Sequence, residues 1–140
     1  MTRDAVVKLF ARRDEAWKRL DSGALAADHA EDSVLESALS GTVTGRPEIE
    51  RVLRAWFAAF PDLTLRTDAF LIDGDRVAQF GVTSGTDTGG FMGQPATGKA
   101  FQLPFGFYFL LGDDRILRWR TVYGVTDLLV QVGMLRTKPA

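Results

Sequence analysis

Four side chains in this sequence could carry acid–base or hydrogen-bonding chemistry: Tyr123, Thr121, His29 and Glu36. Tyr123 closes the run Leu117-Arg-Trp-Arg-Thr-Val-Tyr123, and a buried phenol can donate to a developing oxyanion. The competing role for such a tyrosine is a hydrogen bond to backbone. Thr121 shares the strand face of Tyr123 and adds a hydroxyl without acidity. His29, the single histidine, has an unperturbed pKa close to neutrality and could be a general base. Its neighbours Asp28, Glu31 and Asp32 favour a solvated position at a helix end instead. Glu36 lies mid-strand among apolar residues. Facing inward it would be a base of raised pKa, and facing outward, the preferred reading, an ordinary surface acid. With one histidine and no cysteine, a zinc site is not expected. No phosphate-cradling glycine motif occurs, so no cofactor is expected.

The binding surface is aromatic. Phe101, Phe105, Phe107 and Phe109 alternate through Phe101–Leu111, which puts them on one face of a strand. That face either fills a core or lines an apolar pocket. On the pocket reading the substrate-binding residues are Trp17, Trp56, Phe57, Phe91, Met92, Phe105, Phe107 and Trp119. On the last strand, Leu117, Trp119, Thr121 and Tyr123 should look inward, and Arg118 and Arg120 outward, to solvent or a partner subunit. One strand earlier, Phe80 and Val82 favour the even-numbered face for the core, which would turn Gln79 and Thr83 outward.

Helices and strands must position these groups. Val6, Leu9, Phe10, Trp17 and Leu20 predict an amphipathic helix over 3–21, followed by a short helix over 24–30. Pro47 opens a helix over 47–60 that Pro61 stops. Strands are predicted at 33–37, 42–44, 63–72, 76–84, 100–111 and 115–123, and a last helix at about 125–132. Between the fourth and fifth strands, Ser84–Lys99 holds five glycines and reads as a pocket lid. Helices first and a strand meander after them predict an α+β fold, one domain of 140 residues with helices on one face of a curved sheet. A net charge of −1 offers nothing to nucleic acid or an anionic membrane. The start Met-Thr-Arg-Asp-Ala lacks a signal-peptide core, and no apolar run is long enough to span a membrane. The expected location is the cytoplasm.

Several segments, in order along residues 5 to 135, carry a resemblance: Gly45-Arg-Pro-Glu-Ile49, Phe57-Ala-Ala-Phe-Pro-Asp-Leu63, Asp73-Gly-Asp-Arg-Val77, Gly85-Thr-Asp-Thr-Gly-Gly-Phe-Met-Gly-Gln-Pro-Ala-Thr-Gly-Lys99 and Leu128-Leu-Val-Gln-Val-Gly133. The chain resembles the SnoaL-like polyketide cyclases of the nuclear-transport-factor-2-like superfamily. The resemblance implies a cone-shaped α+β fold: a curved, mostly antiparallel six-stranded sheet with helices on its concave face around one pocket, commonly as a homodimer. Name-giving members close a polyketide ring by a cofactor-free intramolecular aldol reaction through an acid/base aspartate. Here the usual polar places hold Trp119 and Thr121, Gly124 stands where an aspartate often opens the last helix, and Phe105 and Phe107 occupy the neighbouring strand's polar places. The fold carries over and the aldol mechanism does not. The expected function is a cofactor-free cyclase, isomerase or dehydratase acting on a polyketide- or terpenoid-like molecule. The alternatives are a non-catalytic binding protein using the same pocket, or a dimerisation module whose pocket is closed by its aromatics.

Overall fold

The computed structural model describes residues 1–136. Helix α1 (Arg3–Lys18) begins where the Thr2 hydroxyl accepts from the Ala5 N–H at 3.1 Å. Its buried stripe, Val6, Leu9, Phe10, Arg13, Ala16 and Trp17, follows the helical period but includes an arginine. Helix α2 (Ser22–Ala27), capped by Asp21, ends earlier than predicted. The backbone is already extended at His29, because the Asp28 carbonyl accepts from the Ile116 N–H and its carboxylate accepts from Arg12 and Arg13. Strand β1 (His29–Ser37) is therefore longer than predicted. Next come β2 (Gly41–Thr44), α3 (Arg46–Ala59), β3 (Thr64–Asp73), β4 (Arg76–Thr86), β5 (Ala100–Leu111), β6 (Ile116–Tyr123) and α4 (Val125–Gln131).

The strands form one sheet in the order β2-β1-β6-β5-β4-β3. The β1–β2 hairpin occupies one side. Helix α3 then crosses to the opposite edge, and three antiparallel steps bring β6 back alongside β1, parallel to it. This corrects the cone-shaped, curved fold expected from the sequence. The sheet is mixed, and it is open, neither strongly curled nor closed, with β2 and β3 as unpaired edges. A strand meander in sequence predicts antiparallel neighbours. It cannot show that the last strand will dock against the first, in the same direction.

Register decides which side chains meet. Phe105, Phe107 and Phe109 lie opposite Tyr123, Thr121 and Trp119 of β6, and opposite Gly81, Gln79 and Val77 of β4. The odd positions of these strands thus share one face, which α1 and α3 cover. Phe10 packs edge-on against Phe109 at 5.0 Å, Trp17 stacks on Phe107 at 6.0 Å, and Phe60 meets Phe101 at 4.9 Å. The predicted facing of β4 is reversed: Gln79 is buried, while Phe80 is 48% exposed. Phe80 instead lies over Gly106 on the uncovered face of the sheet, where a Cβ would touch its ring. Leu117 also departs from expectation. A register shift opposite Leu110 and Leu111 turns it out against Gly112, and Ile116 is buried in its stead. At the far end of β5, where β6 has ended, the Gln131 side chain of α4 accepts from the Gln102 N–H at 2.7 Å and donates to its carbonyl at 3.1 Å. One amide thereby satisfies backbone groups a neighbouring strand would otherwise pair.

Candidate functional site

The apolar face of the sheet, α1 and α3 enclose a cavity of about 80 Å³. Trp17 forms one wall, edge-on to Phe57 at 5.6 Å and to Trp119 at 6.3 Å. Phe105 and Phe107 pack at 4.6 Å along the floor, with Trp119 perpendicular to Phe107 at 5.3 Å. Trp56 and Tyr123 meet edge-on at 5.8 Å. They are the only aromatic lining residues that keep partial exposure. Of the predicted binding residues, Trp17, Trp56, Phe57, Phe105, Phe107 and Trp119 are thus brought together around one space.

Four hydroxyl-bearing residues stand in the lining, Ser37, Thr83, Thr121 and Tyr123. Thr83 donates to the Thr64 carbonyl at 2.9 Å and is committed there. Thr121 makes only a long contact, 3.5 Å, with the Glu36 carbonyl. The Tyr123 phenol lies 3.4 Å from the Ser37 hydroxyl. Burial pushes that phenol above its ordinary pKa of 10, and hydrogen bonds from Ser37 and the Leu39 backbone partly offset the rise. Tyr123 therefore stays protonated at neutral pH and can donate. Among the described residues no carboxylate, histidine, lysine or arginine lines the cavity.

His29 and Glu36 lie elsewhere. His29 is fully buried behind Trp119, ring centroids 5.8 Å apart, with its Nδ1 2.9 Å from the Ser33 hydroxyl. It is not the solvated residue the flanking acids suggested. Burial, followed by the Arg13 charge, lowers its pKa from 6.5 to about 3. Arg13 is itself buried. Its guanidinium donates to the Leu25 carbonyl at 3.1 Å and to Asp28 at 3.3 Å, and lies 5.4 Å from the Phe109 ring centre. Desolvation lowers its pKa to about 10 against the opposing pull of Asp28. Glu36 faces away from the cavity, where Arg118 and Arg120 donate to its two oxygens, Arg120 at 2.7 Å.

The segment between β4 and β5 lies against α3. The Gly89 N–H donates to the Ala59 carbonyl, and Phe91 wedges between Trp56 and Phe60, 5.0 Å from each. Phe91 thus supports the cavity wall from behind. Met92 is 54% exposed, and neither residue lines the cavity. The buried Asp87 carboxylate organises the segment, accepting from the Gly90 N–H and from both the N–H and hydroxyl of Thr97.

Sequence reasoning missed Ser37 and the buried Arg13, and it turned Thr83, which lines the cavity, outward. Ser37 could have been found from parity with Leu35, two residues earlier on the same strand face. Nothing in the sequence marked Arg13, because a charge in an apolar stripe reads as a surface residue.

Among the described residues no cluster of His, Cys, Asp or Glu is placed to hold a metal ion, and no helix is long and apolar enough to cross a membrane. The sequence matches no curated protein. Three solved structures are similar over nearly their whole length. A candidate polyketide cyclase from Xanthomonas campestris is 26% identical, with a TM-score of 0.83, over 93% of this chain and 98% of its own. The candidate hydroxylase AclR from Streptomyces galilaeus is 25% identical, with a TM-score of 0.83, over 99% and 91%. IdmH, a candidate polyketide cyclase from Streptomyces antibioticus, is 27% identical, with a TM-score of 0.73, over 91% and 97%. The family model described as SnoaL-like polyketide cyclase matches residues 8–132, and with that match, the topology and the aromatic-lined cavity in hand, the chain belongs to the SnoaL-like polyketide cyclase family.

Proposed function

We propose that this chain is a cofactor-free enzyme acting on a hydrophobic small molecule of polyketide or terpenoid type, as a cyclase, isomerase or dehydratase. The observation that carries this reading is an apolar cavity whose only ionisable lining group among the described residues is a protonated phenol, Tyr123, with Ser37 and Thr121 beside it. Aromatic walls hold a flexible substrate in a reactive conformation, and orientation alone removes much of a ring-closure barrier. Tyr123 donates to the carbonyl oxygen as negative charge develops on it. The aspartate chemistry of name-giving relatives has no place here, since none of the described residues brings a carboxylate to the cavity.

A volume of about 80 Å³ is small against a typical ligand site of about 300–1,000 Å³. A multi-ring substrate must therefore displace part of the wall. Trp56 and Tyr123, the partly exposed pair, are the side chains with room to move. The uncovered sheet face, which exposes Leu71, Phe80 and Val122, supports pairing of two copies as a homodimer.

The test is to incubate the protein with poly-β-ketone mimics and β,γ-unsaturated ketones and to follow products by liquid chromatography and mass spectrometry. Turnover that falls about 100- to 1,000-fold in Tyr123→Phe supports the reading. Tight binding without turnover of any member would make the chain a binding protein instead.

A further inference from the structure

We infer that the cavity selects neutral ligands bearing a hydrogen-bond-accepting oxygen, and that Ser37 is the positioning residue that turns the Tyr123 proton toward that oxygen. The inference rests on the cavity being a ligand site, as proposed above, and adds the charge and polarity of what it takes.

Charge comes first. The lining is aromatic and aliphatic, and among the described residues its polar groups are all neutral, four hydroxyls and three indole N–H groups. A carboxylate or ammonium group entering would lose its hydration and find no counter-charge. The charges nearby lie outside the lining. Glu36 sits on the other side of the sheet with Arg118 and Arg120, and Arg13, whose Nη1 donates to Asp28 and the Leu25 carbonyl and whose Nη2 is buried without a partner, does not line the cavity. A neutral ligand meets no such cost.

Polarity comes next. The hydroxyls of Ser37, Thr121 and Tyr123 gather where the ends of the neighbouring strands β1 and β6 run side by side. Thr83, on β4, is bonded to backbone and takes no part. The hydroxyls of Ser37 and Tyr123 are within reach of each other, and either could donate. When the Ser37 O–H donates to the phenol oxygen across their 3.4 Å contact, the phenol's own proton is left free to point into the cavity. The chain of donors then runs from Ser37 to Tyr123 to the ligand, and the ligand must accept. A carbonyl or ether oxygen meets this requirement.

Trp17, Trp56 and Trp119 all line the cavity, so tryptophan fluorescence reports occupancy directly. Four single-ring probes separate the possibilities: acetophenone, ethylbenzene, benzoate and benzylammonium. Acetophenone should bind about 3- to 10-fold more tightly than ethylbenzene, the range of one neutral hydrogen bond. Benzoate and benzylammonium should bind on the order of 100-fold more weakly than acetophenone, because each would bury an unpaired charge. In Ser37→Ala and in Tyr123→Phe the preference for acetophenone over ethylbenzene should vanish, and Ser37→Thr should restore it. A second readout is independent of ligand. The chain has two tyrosines, so in an ultraviolet pH titration, with Tyr108→Phe as the background, Ser37→Ala should move the Tyr123 phenol to higher pH. Benzoate binding as tightly as acetophenone would overturn the charge selection. A preference for acetophenone that survives Ser37→Ala, with no movement of the Tyr123 titration, would overturn the role of Ser37. Failure of every probe to alter the fluorescence would sink the ligand-site reading itself, and this inference with it.

Discussion

His29 makes folding stability depend on pH across the mildly acidic range. Its pKa is lowered from 6.5 to about 3 in the folded protein, by burial first and the Arg13 charge second. The unfolded chain therefore binds a proton below pH 6.5 that the folded chain refuses. The histidine's contribution to stability is intact above pH 6.5 and is lost as the pH falls toward 3. Between pH 6 and 4 the slope approaches about 1.4 kcal/mol per pH unit. The accumulated loss is about 2 kcal/mol at pH 5 and about 4 kcal/mol at pH 3. Asp14, whose carboxyl is raised above its ordinary range by burial, works in the opposite sense, so the His29 contribution is read as a difference between two chains. The measurement is a series of urea midpoints at half-unit steps from pH 7.5 to 4.5, read by tryptophan fluorescence, for the parent chain and for His29→Gln. The parent's stability should fall steeply and the variant's much less, whatever its absolute value. A flat parent curve, or a ring that titrates near 6.5 by NMR, would refute the burial argument.

Four further outcomes are expected. Asp87→Ala removes the acceptor of three hydrogen bonds and should cost about 3 kcal/mol, seen as a lowered Tm, with faster amide exchange confined to residues 88–98. Gly81→Ala should destabilise by at least about 2 kcal/mol in denaturant unfolding, because a Cβ there would enter the space of the Arg66 carbonyl at the β3 bulge. Tyr123→Phe should abolish most turnover of any identified substrate while leaving the affinity for apolar ligands within a few-fold, as kcat and KM measured separately will tell. Light scattering should return the mass of a dimer at micromolar concentration, and Val122→Glu, on the uncovered face, should return that of a monomer.

The helices were legible from the spacing of Val6, Leu9, Phe10 and Trp17 and of Ile49, Val52, Leu53 and Phe57, because burial on one side imposes the helical period. The aromatic wall was legible because Phe105, Phe107 and Phe109 alternate in a regular strand. Alternation failed as a guide where the backbone departs from regularity. The first residues of β1 pass through a register shift between His29 and Val34, so their acids read as a solvated helix end. Leu117 sits at another shift. Phe80 misled for a different reason: a large apolar residue was assigned to the core, whereas here it covers Gly106 on the outside. The parallel pairing of β1 with β6, and the open sheet that results, depend on contacts between the two ends of the chain, which no local pattern encodes. The hydroxyls at the cavity end are of the same kind. Ser37 and Tyr123 are 86 residues apart and acquire a shared role only when those strands meet.

That meeting has a consequence for how the chain is made. β6 leaves the ribosome after the other five strands of the sheet, yet it lies in the middle of the sheet, bonded to β1 on one side and β5 on the other. Until it emerges, the β1–β2 hairpin and the β3–β4–β5 meander each present a raw strand edge, and the pair Glu36–Arg120 must close over 84 residues. Such a chain nucleates late and slowly, since non-local pairing bears its loop-closure cost before any contact rewards it. A nascent chain stalled before Ile116 would hold most of the apolar surface and neither half of its central zipper. Fragments truncated there should aggregate rather than fold, whereas removing only the residues after α4 leaves the zipper intact.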